Sequence, residues 1–210
     1  MPKARTARRA TARKVAASAL MVSAGAGMVG HGAYATFTSS ATGGPQQIST
    51  GTVTVTLGAT GASTNRLTVS ATAVAAGDTI SRSVDLINSG SLNLASVTLT
   101  TSATVSSALN TDTTNGLQMA IYRCSSAWTE SGSSPAFSYT CGGSQTTVLA
   151  STPVVGSNLS LSNLTATTAG ATDHLEVVLT LPTTAPNSMQ GLSSTITYAF
   201  TGPLRAAQAD

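Results

Sequence analysis

The chain has 210 residues, of which 8% are charged and 4% are aromatic. That length suits one domain plus an export signal, and the low charge argues against a disordered chain. The formal net charge is +3, but six of the ten basic residues lie within residues 1–14. After residue 35, four arginines stand against seven acidic residues, and four minus seven gives −3. A nucleic-acid-binding protein needs a basic surface to neutralise phosphates, so this part of the chain does not fit that class.

The N-terminal region has the three parts of a secretory signal peptide. Residues 1–14 are basic, residues 15–30 are uncharged and rich in small apolar side chains, and Ala33 and Ala35 then form an A-x-A site. This order predicts a signal peptide over 1–35, cleaved between Ala35 and Thr36. A retained membrane anchor is the alternative, because the uncharged stretch is just long enough to span a bilayer. We therefore expect a secreted protein, extracellular or on the cell surface, that meets a signal peptidase and contacts the membrane only transiently.

The rest of the chain has the two-residue periodicity of β-strands. Residues 36–49 are rich in Ser, Thr and Gly and predict a flexible lead-in, whereas Thr50–Leu57 alternates valine or leucine with threonine. Such alternation indicates a half-buried strand, and we find no helical period after residue 35. Turn-forming residues separate the runs. An antiparallel β-sandwich of about nine strands, jelly-roll or immunoglobulin-like, is therefore predicted over 50–210. Its further strands are expected at 66–74, 79–88, 92–100, 117–124, 146–150, 158–164, 174–181 and 193–201.

Cys124 and Cys141 are the only two cysteines. In an exported chain an even number of cysteines predicts a disulfide, and closing this loop is worth roughly 3 kcal/mol. Two buried free thiols are the alternative. The loop carries Trp128, Phe137 and Tyr139, which form either a contact patch for a ligand or a small core packed on the disulfide. We favour packing.

The sequence contains no recognisable catalytic constellation. His174 and Glu176 would share one face of a strand and could both reach a metal, but no second histidine follows residue 35 and H-E-x-x-H is absent. A zinc site needs three or four protein ligands. No serine lies in G-x-S-x-G, and the glycine pairs are not followed by the lysine of a phosphate loop. We predict no catalytic residue, no metal site and no cofactor.

Three segments carry motifs that occur in a fixed order along the chain. They are GAYATF followed by ISTGTVTVTL, AAGDTISRSVDLINSGSLNLASV over 75–97, and MQGLSSTITYAFTG over 189–202. Together they resemble the TasA/camelysin family of exported bacterial proteins. Their order matches the family's signal junction, its P-G-D start and N-x-G-S-L turn, and its closing strand. The chain departs from the family in having Ala76 in place of the usual proline. It also has a cysteine pair and no Lys/Asp-rich tail, unlike the best-known matrix members.

The resemblance implies a jelly-roll-like domain, cleavage by a dedicated signal peptidase, and polymerisation into extracellular or biofilm-matrix fibres. In such fibres the N-terminal segment of one subunit completes a sheet of the next, and here Thr36–Leu57 would be the donor. Self-association into a homopolymer is therefore the first hypothesis. A monomeric, immunoglobulin-like surface or secreted binding module that uses the Trp128 loop is the second. The third is a metallopeptidase, a name given to some relatives, although we expect no enzyme.

Overall fold

The structure, a computed structural model, describes residues 38–41, 54–67 and 74–205. All of them belong to the unit Phe37–Asp210. The predicted signal peptide, with its cleavage site between Ala35 and Thr36, lies outside the described residues, and so do 42–53, 68–73 and 206–210.

Nearly all regular elements in the described part of the chain are strands. One helical turn, α1, begins after Ser107, whose hydroxyl caps it, and a single 3-10 turn occurs at Asn187–Met189. The elements in chain order are β1 Thr38–Ala41, β2 Val55–Leu57, β3 Thr79–Asn88, β4 Val97–Val105, α1 Ala108–Thr111, β5 Gln118–Cys124, β6 Trp128–Ser133, β7 Ala136–Cys141, β8 Gln145–Pro153, β9 Gly156–Leu161, β10 Thr172–Thr180 and β11 Thr195–Pro203.

The strands form two antiparallel sheets and one separate hairpin. The four-stranded sheet has the order β1-β11-β4-β9, the five-stranded sheet has the order β2-β3-β10-β5-β8, and β6 pairs with β7. Without β2 and the hairpin, the two sheets contain eight strands, which can be counted from one to eight in chain order. The four-stranded sheet then has the order 1-8-3-6, and the remaining strands of the five-stranded sheet have the order 2-7-4-5. This interleaving is the jelly-roll arrangement, so the strand order decides between the two predicted sandwich types.

The hydrophobic core lies between the two sheets and contains few aromatic side chains. Leu99 and Phe200 face inward from the four-stranded sheet, and Leu86, Ile121 and Leu175 face inward from the five-stranded sheet; all five are fully buried. Alternation along each strand places these residues on one face. The core is built mainly from leucine and valine, because the chain has few aromatic residues.

Most of the predicted strands are present, with three local differences, and the strand predicted at 66–74 falls largely on residues 68–73, outside the described residues. The predicted lead-in 36–49 contains a strand, β1, at Thr38–Ala41. β4 begins at Val97 rather than Leu92, because the preceding segment turns back so that the Leu94 amide donates to the Thr167 carbonyl at 2.7 Å. The stretch after Val105 forms the helical turn α1, which had no periodic signal because it is only four residues long.

Candidate functional site

The first described strand lies at the edge of the four-stranded sheet. β1 runs antiparallel to β11, with Thr38 opposite Pro203 and Ala41 opposite Phe200, and the register is unbroken across all four pairs. The first described strand is thus the outermost strand of its sheet, and it pairs with the last described strand. An extended segment in this position is held by main-chain hydrogen bonds that any similar segment can also make.

The opposite edge of the same sheet is irregular. β9 pairs with β4 with a register shift between Leu99 and Thr101, and Asn158 within β9 has a positive φ of 53°. Bulges and left-handed residues twist an edge strand and interrupt its row of hydrogen-bonding groups. Of the two edges, the one held by β1 is therefore the better template for another strand.

The cysteine loop folds as the hairpin β6–β7. The predicted disulfide between Cys124 and Cys141 is present and joins the end of β5 to the end of β7, with a Cα–Cα distance of 5.6 Å. Gly132 has a φ of +83°, and a Cβ there would lie 2.3 Å from the Ala136 carbonyl oxygen, so only glycine fits this position. The disulfide fixes the base of the hairpin to the five-stranded sheet.

An ion pair holds the middle of the hairpin. Arg66 donates from Nε to Glu130 Oε2 at 2.9 Å and from Nη2 to Glu130 Oε1 at 2.6 Å, which is the two-pronged geometry that guanidinium and carboxylate groups favour. The Tyr139 hydroxyl donates to Glu130 Oε2 at 3.0 Å. The Arg66 hydrogen bonds are the main reason that the pKa of Glu130 is lowered, and partial burial raises the pKa of Tyr139. The pair links the hairpin to the segment that follows β2.

The three aromatic residues of the hairpin make contacts within the chain. The Phe137 ring lies under the Arg66 guanidinium at 4.5 Å and near that of Arg82 at 5.7 Å, a cation–π arrangement. The Trp128 indole donates to the His174 carbonyl at 3.0 Å. Trp128, Phe137 and Tyr139 are all half-buried. Their geometry is that of packing against the sheet, and a role as a ligand patch stays a prediction.

Arg82 lies at the boundary between the hairpin and the core. It shares a face of β3 with Val84 and Leu86, as the alternation predicts, and it is only 5% exposed. Its Nη2 donates to the Pro135 carbonyl at 3.0 Å. Burial lowers the pKa of Arg82 and raises the pKa of the neighbouring Tyr198 on β11. Arg82 therefore connects the tip of the hairpin with the interior of the sandwich.

His174 has a partner that the sequence did not reveal. Its Nδ1 lies 2.7 Å from Asp85 Oδ1, because β10 pairs with β3 and places the two residues directly opposite each other. The pairing crosses 89 positions of sequence, and only the strand register could have predicted it. Glu176 lies on the same face two residues later, as expected, and burial raises the pKa of its carboxyl group.

A comparison with protein families gives a match over nearly the whole chain. The model of a family described as camelysin metallo-endopeptidase matches residues 10–209. The chain belongs to this family. The match confirms the resemblance carried by the three sequence segments. No curated protein matches the chain.

The camelysin family name attributes a metal-dependent peptidase activity to the family. Within 38–41, 54–67 and 74–205, no group of three or more His, Cys, Asp or Glu side chains is arranged to hold a metal ion. His174 and Asp85 lie opposite each other on the paired strands β10 and β3, and Glu176 lies two residues further along β10. Here the Asp85 carboxylate contacts the imidazole itself. The described helices are also too short or too polar to cross a membrane.

Proposed function

We propose that this camelysin-family protein is a secreted structural subunit that assembles into fibres by exchanging its N-terminal strand. The pairing of β1 with β11 carries the proposal. A four-residue edge strand is held by few hydrogen bonds, and it leaves an open row of backbone groups on β11 when it departs. The equivalent strand of a second copy has the same sequence and fills that row equally well.

Such an exchange yields an open chain of subunits. Each copy donates β1 to one neighbour and accepts β1 from another, which is a head-to-tail contact of the domain-swapping kind. Removal of the predicted signal peptide at Ala35–Thr36 would free the terminus two residues before β1. The irregular β9 edge, with its register shift and positive-φ Asn158, supports β1 as the exchanging strand.

Cysteine pairs across the β1–β11 register test the proposal. Ser40 lies opposite Thr201, and opposite residues in antiparallel strands have Cα atoms about 4.5–5.5 Å apart, which suits a disulfide. One preparation of residues 36–210 carries Ser40→Cys and the other Thr201→Cys. Mixed under assembly conditions with mild oxidant, they should give a covalent dimer that contains one chain of each kind.

The matched control replaces Thr201→Cys with Thr197→Cys. Thr197 lies on the same strand but opposite Ser102 of β4, so it should give no specific product with Ser40→Cys. Filaments without the Ser40–Thr201 product, or equal yields from both mixtures, would contradict strand exchange. Putting Ser40→Cys and Thr201→Cys in one chain should lock β1 at its own edge and abolish filaments.

We also propose that the protein acts without catalysis. Asp85 and His174 bind each other, and Glu176 on the same strand as His174 is buried; these contacts support a structural role for the three side chains. Purified residues 36–210 should therefore leave casein intact with or without added zinc. Cleavage that a chelator abolishes and that His174→Ala removes would restore the peptidase hypothesis.

A further inference from the structure

The charged residues of the sandwich are distributed unequally between its two sheets. β1, β4, β9 and β11, which form the four-stranded sheet, contain no Asp, Glu, Lys, Arg or His. The charged side chains that lie within described strands belong instead to β3, β5, β6 and β10. One side of the molecule is therefore electrically neutral along the full length of its strands.

The outer face of the four-stranded sheet carries mainly hydroxyl groups. Leu99 and Phe200 point into the core, so the alternate positions on the same strands point outward. Ser102 and Thr197 lie opposite each other on this face, and their hydroxyl oxygens are 2.8 Å apart. The exposed members of this hydroxyl face are Ser102, Thr104, Ser160, Thr195 and Thr197.

A sheet face of this composition has no feature that prevents another sheet from stacking on it. Exposed sheets usually carry charged side chains, which oppose close approach because their hydration would be lost. Strand segments of high β-propensity and low charge, with small side chains, pack face to face at a spacing of about 10 Å. β4, with the sequence VTLTTSATV, has these properties.

The size of the face suits a weak contact that gains strength by repetition. β4 and β11 each have nine residues, which corresponds to a length of about 30 Å, and four strands span roughly 15–19 Å. Because β9 and β1 are shorter, with six and four residues, the projected area is about 450 Å², below the roughly 800 Å² that each partner contributes to a standard interface. A single contact of this size would be weak, but the same contact repeated along a fibre would be strengthened by multivalency.

We propose that the hydroxyl face is an interface between copies of this chain and that it pairs with the same face of a second copy. A neutral face is self-complementary in charge, whereas a charged partner would lose hydration there without gaining an opposite charge. The repetition along a fibre rests on the proposed function; the pairing of two copies does not. Strand exchange would join subunits end to end, and the hydroxyl face would join the resulting filaments side by side.

Placing a charge on the hydroxyl face tests the proposal. Thr197→Lys sets like charges against each other in the paired faces and lies outside the β1 register, so strand exchange stays available. Ser131→Lys is the matched control, because Ser131 is an exposed hydroxyl of the hairpin. Residues 36–210 of each variant are examined by electron microscopy for lateral pairing and by sedimentation equilibrium for dimers. Melting curves establish that both variants are folded, and Thr104→Lys is a second variant of the face.

The expected result is paired filaments for the unchanged sequence and Ser131→Lys, and single filaments for Thr197→Lys and Thr104→Lys. Where no filaments form, a concentration-dependent dimer whose dissociation constant rises at least tenfold in Thr197→Lys would support the face while contradicting strand exchange. Single filaments for every variant, or equal effects of Thr197→Lys and Ser131→Lys, would overturn the proposal. Monomers at all concentrations would also overturn it and would leave the chain's own uncharged residues 42–53 as candidates to cover the face.

Discussion

The two outer faces of the sandwich differ in what their side chains contact. On the five-stranded sheet, charged groups are matched within the chain: Arg66 binds Glu130, and His174 binds Asp85. The disulfide-tethered hairpin packs onto that side through Trp128. The four-stranded sheet has hydroxyl groups in place of charges. The difference indicates that one face is fastened to its own chain and that the other is suited to contacts with a neighbour.

Removing the disulfide should change the stability of the protein most, and it should loosen the hairpin without loosening the four-stranded sheet. Replacing Cys124 and Cys141 together by serine should lower the free energy of unfolding by about 3 kcal/mol, measured by chemical denaturation. Native-state hydrogen exchange should then accelerate in β6 and β7 while the amides of β4 and β11 keep their relative protection. Hydrogen exchange that accelerates equally in the hairpin and in both sheets would show that the disulfide does not stabilise the hairpin locally.

Neutralising Glu130 should have a smaller effect that depends on pH. The pKa of Glu130 is lowered from its ordinary 4.5 by the Arg66 hydrogen bonds, so its contribution to stability is present above pH 4.5 and is lost as the pH falls through the lowered pKa. Glu130→Gln should therefore reduce the melting temperature at pH 7 by about 1–3 °C. The difference between variant and parent should shrink in acid. A difference that is the same at pH 7 and at pH 2 would exclude the ion pair as its source.

Glu176→Gln should change the melting temperature least, and it should raise it at pH 7 where Glu130→Gln lowers it. Burial raises the pKa of Glu176 above 4.5, so the stability associated with its protonated form is complete below pH 4.5 and is lost as the pH rises through the raised pKa. Glutamine stays neutral at every pH, so the variant does not lose this stability as the pH rises. Its melting temperature at pH 7 should therefore be higher than that of the parent by up to about 3 °C. A lower melting temperature of Glu176→Gln at pH 7 would mean that the ionised Glu176 carboxylate stabilises the folded protein.

The sequence predicted those features that depend on local periodicity. β3 has the predicted bounds, Thr79–Asn88, because its alternation is regular and turn residues flank it. The disulfide followed from an even cysteine count. β1 was missed because TSSA has no apolar alternation, and its strand conformation depends on pairing with β11.

The contacts of the candidate site depend on which strands become neighbours. The Asp85–His174 pair and the Arg66–Glu130 pair join positions 89 and 64 residues apart. No local pattern encodes either separation. The sequence could identify the aromatic residues of the cysteine loop. It could not show that Phe137 contacts two arginines or that Trp128 donates to a main-chain carbonyl. The neutrality of one sheet was visible in the residue types only after the strand order assigned each strand to a sheet.

The pairing of the first described strand with the last has a consequence for the timing of assembly. A chain made from its N-terminus exposes Thr38–Ala41 long before Thr195–Pro203 exists, so β1 has no partner in its own chain until β11 has followed it. Contacts between such distant segments also form slowly in folding. During export of the proposed secreted subunit, β1 can meet the edge of an older molecule before β11 of its own chain has crossed the membrane. Newly made chains would then join an existing fibre more readily than chains that have already folded alone.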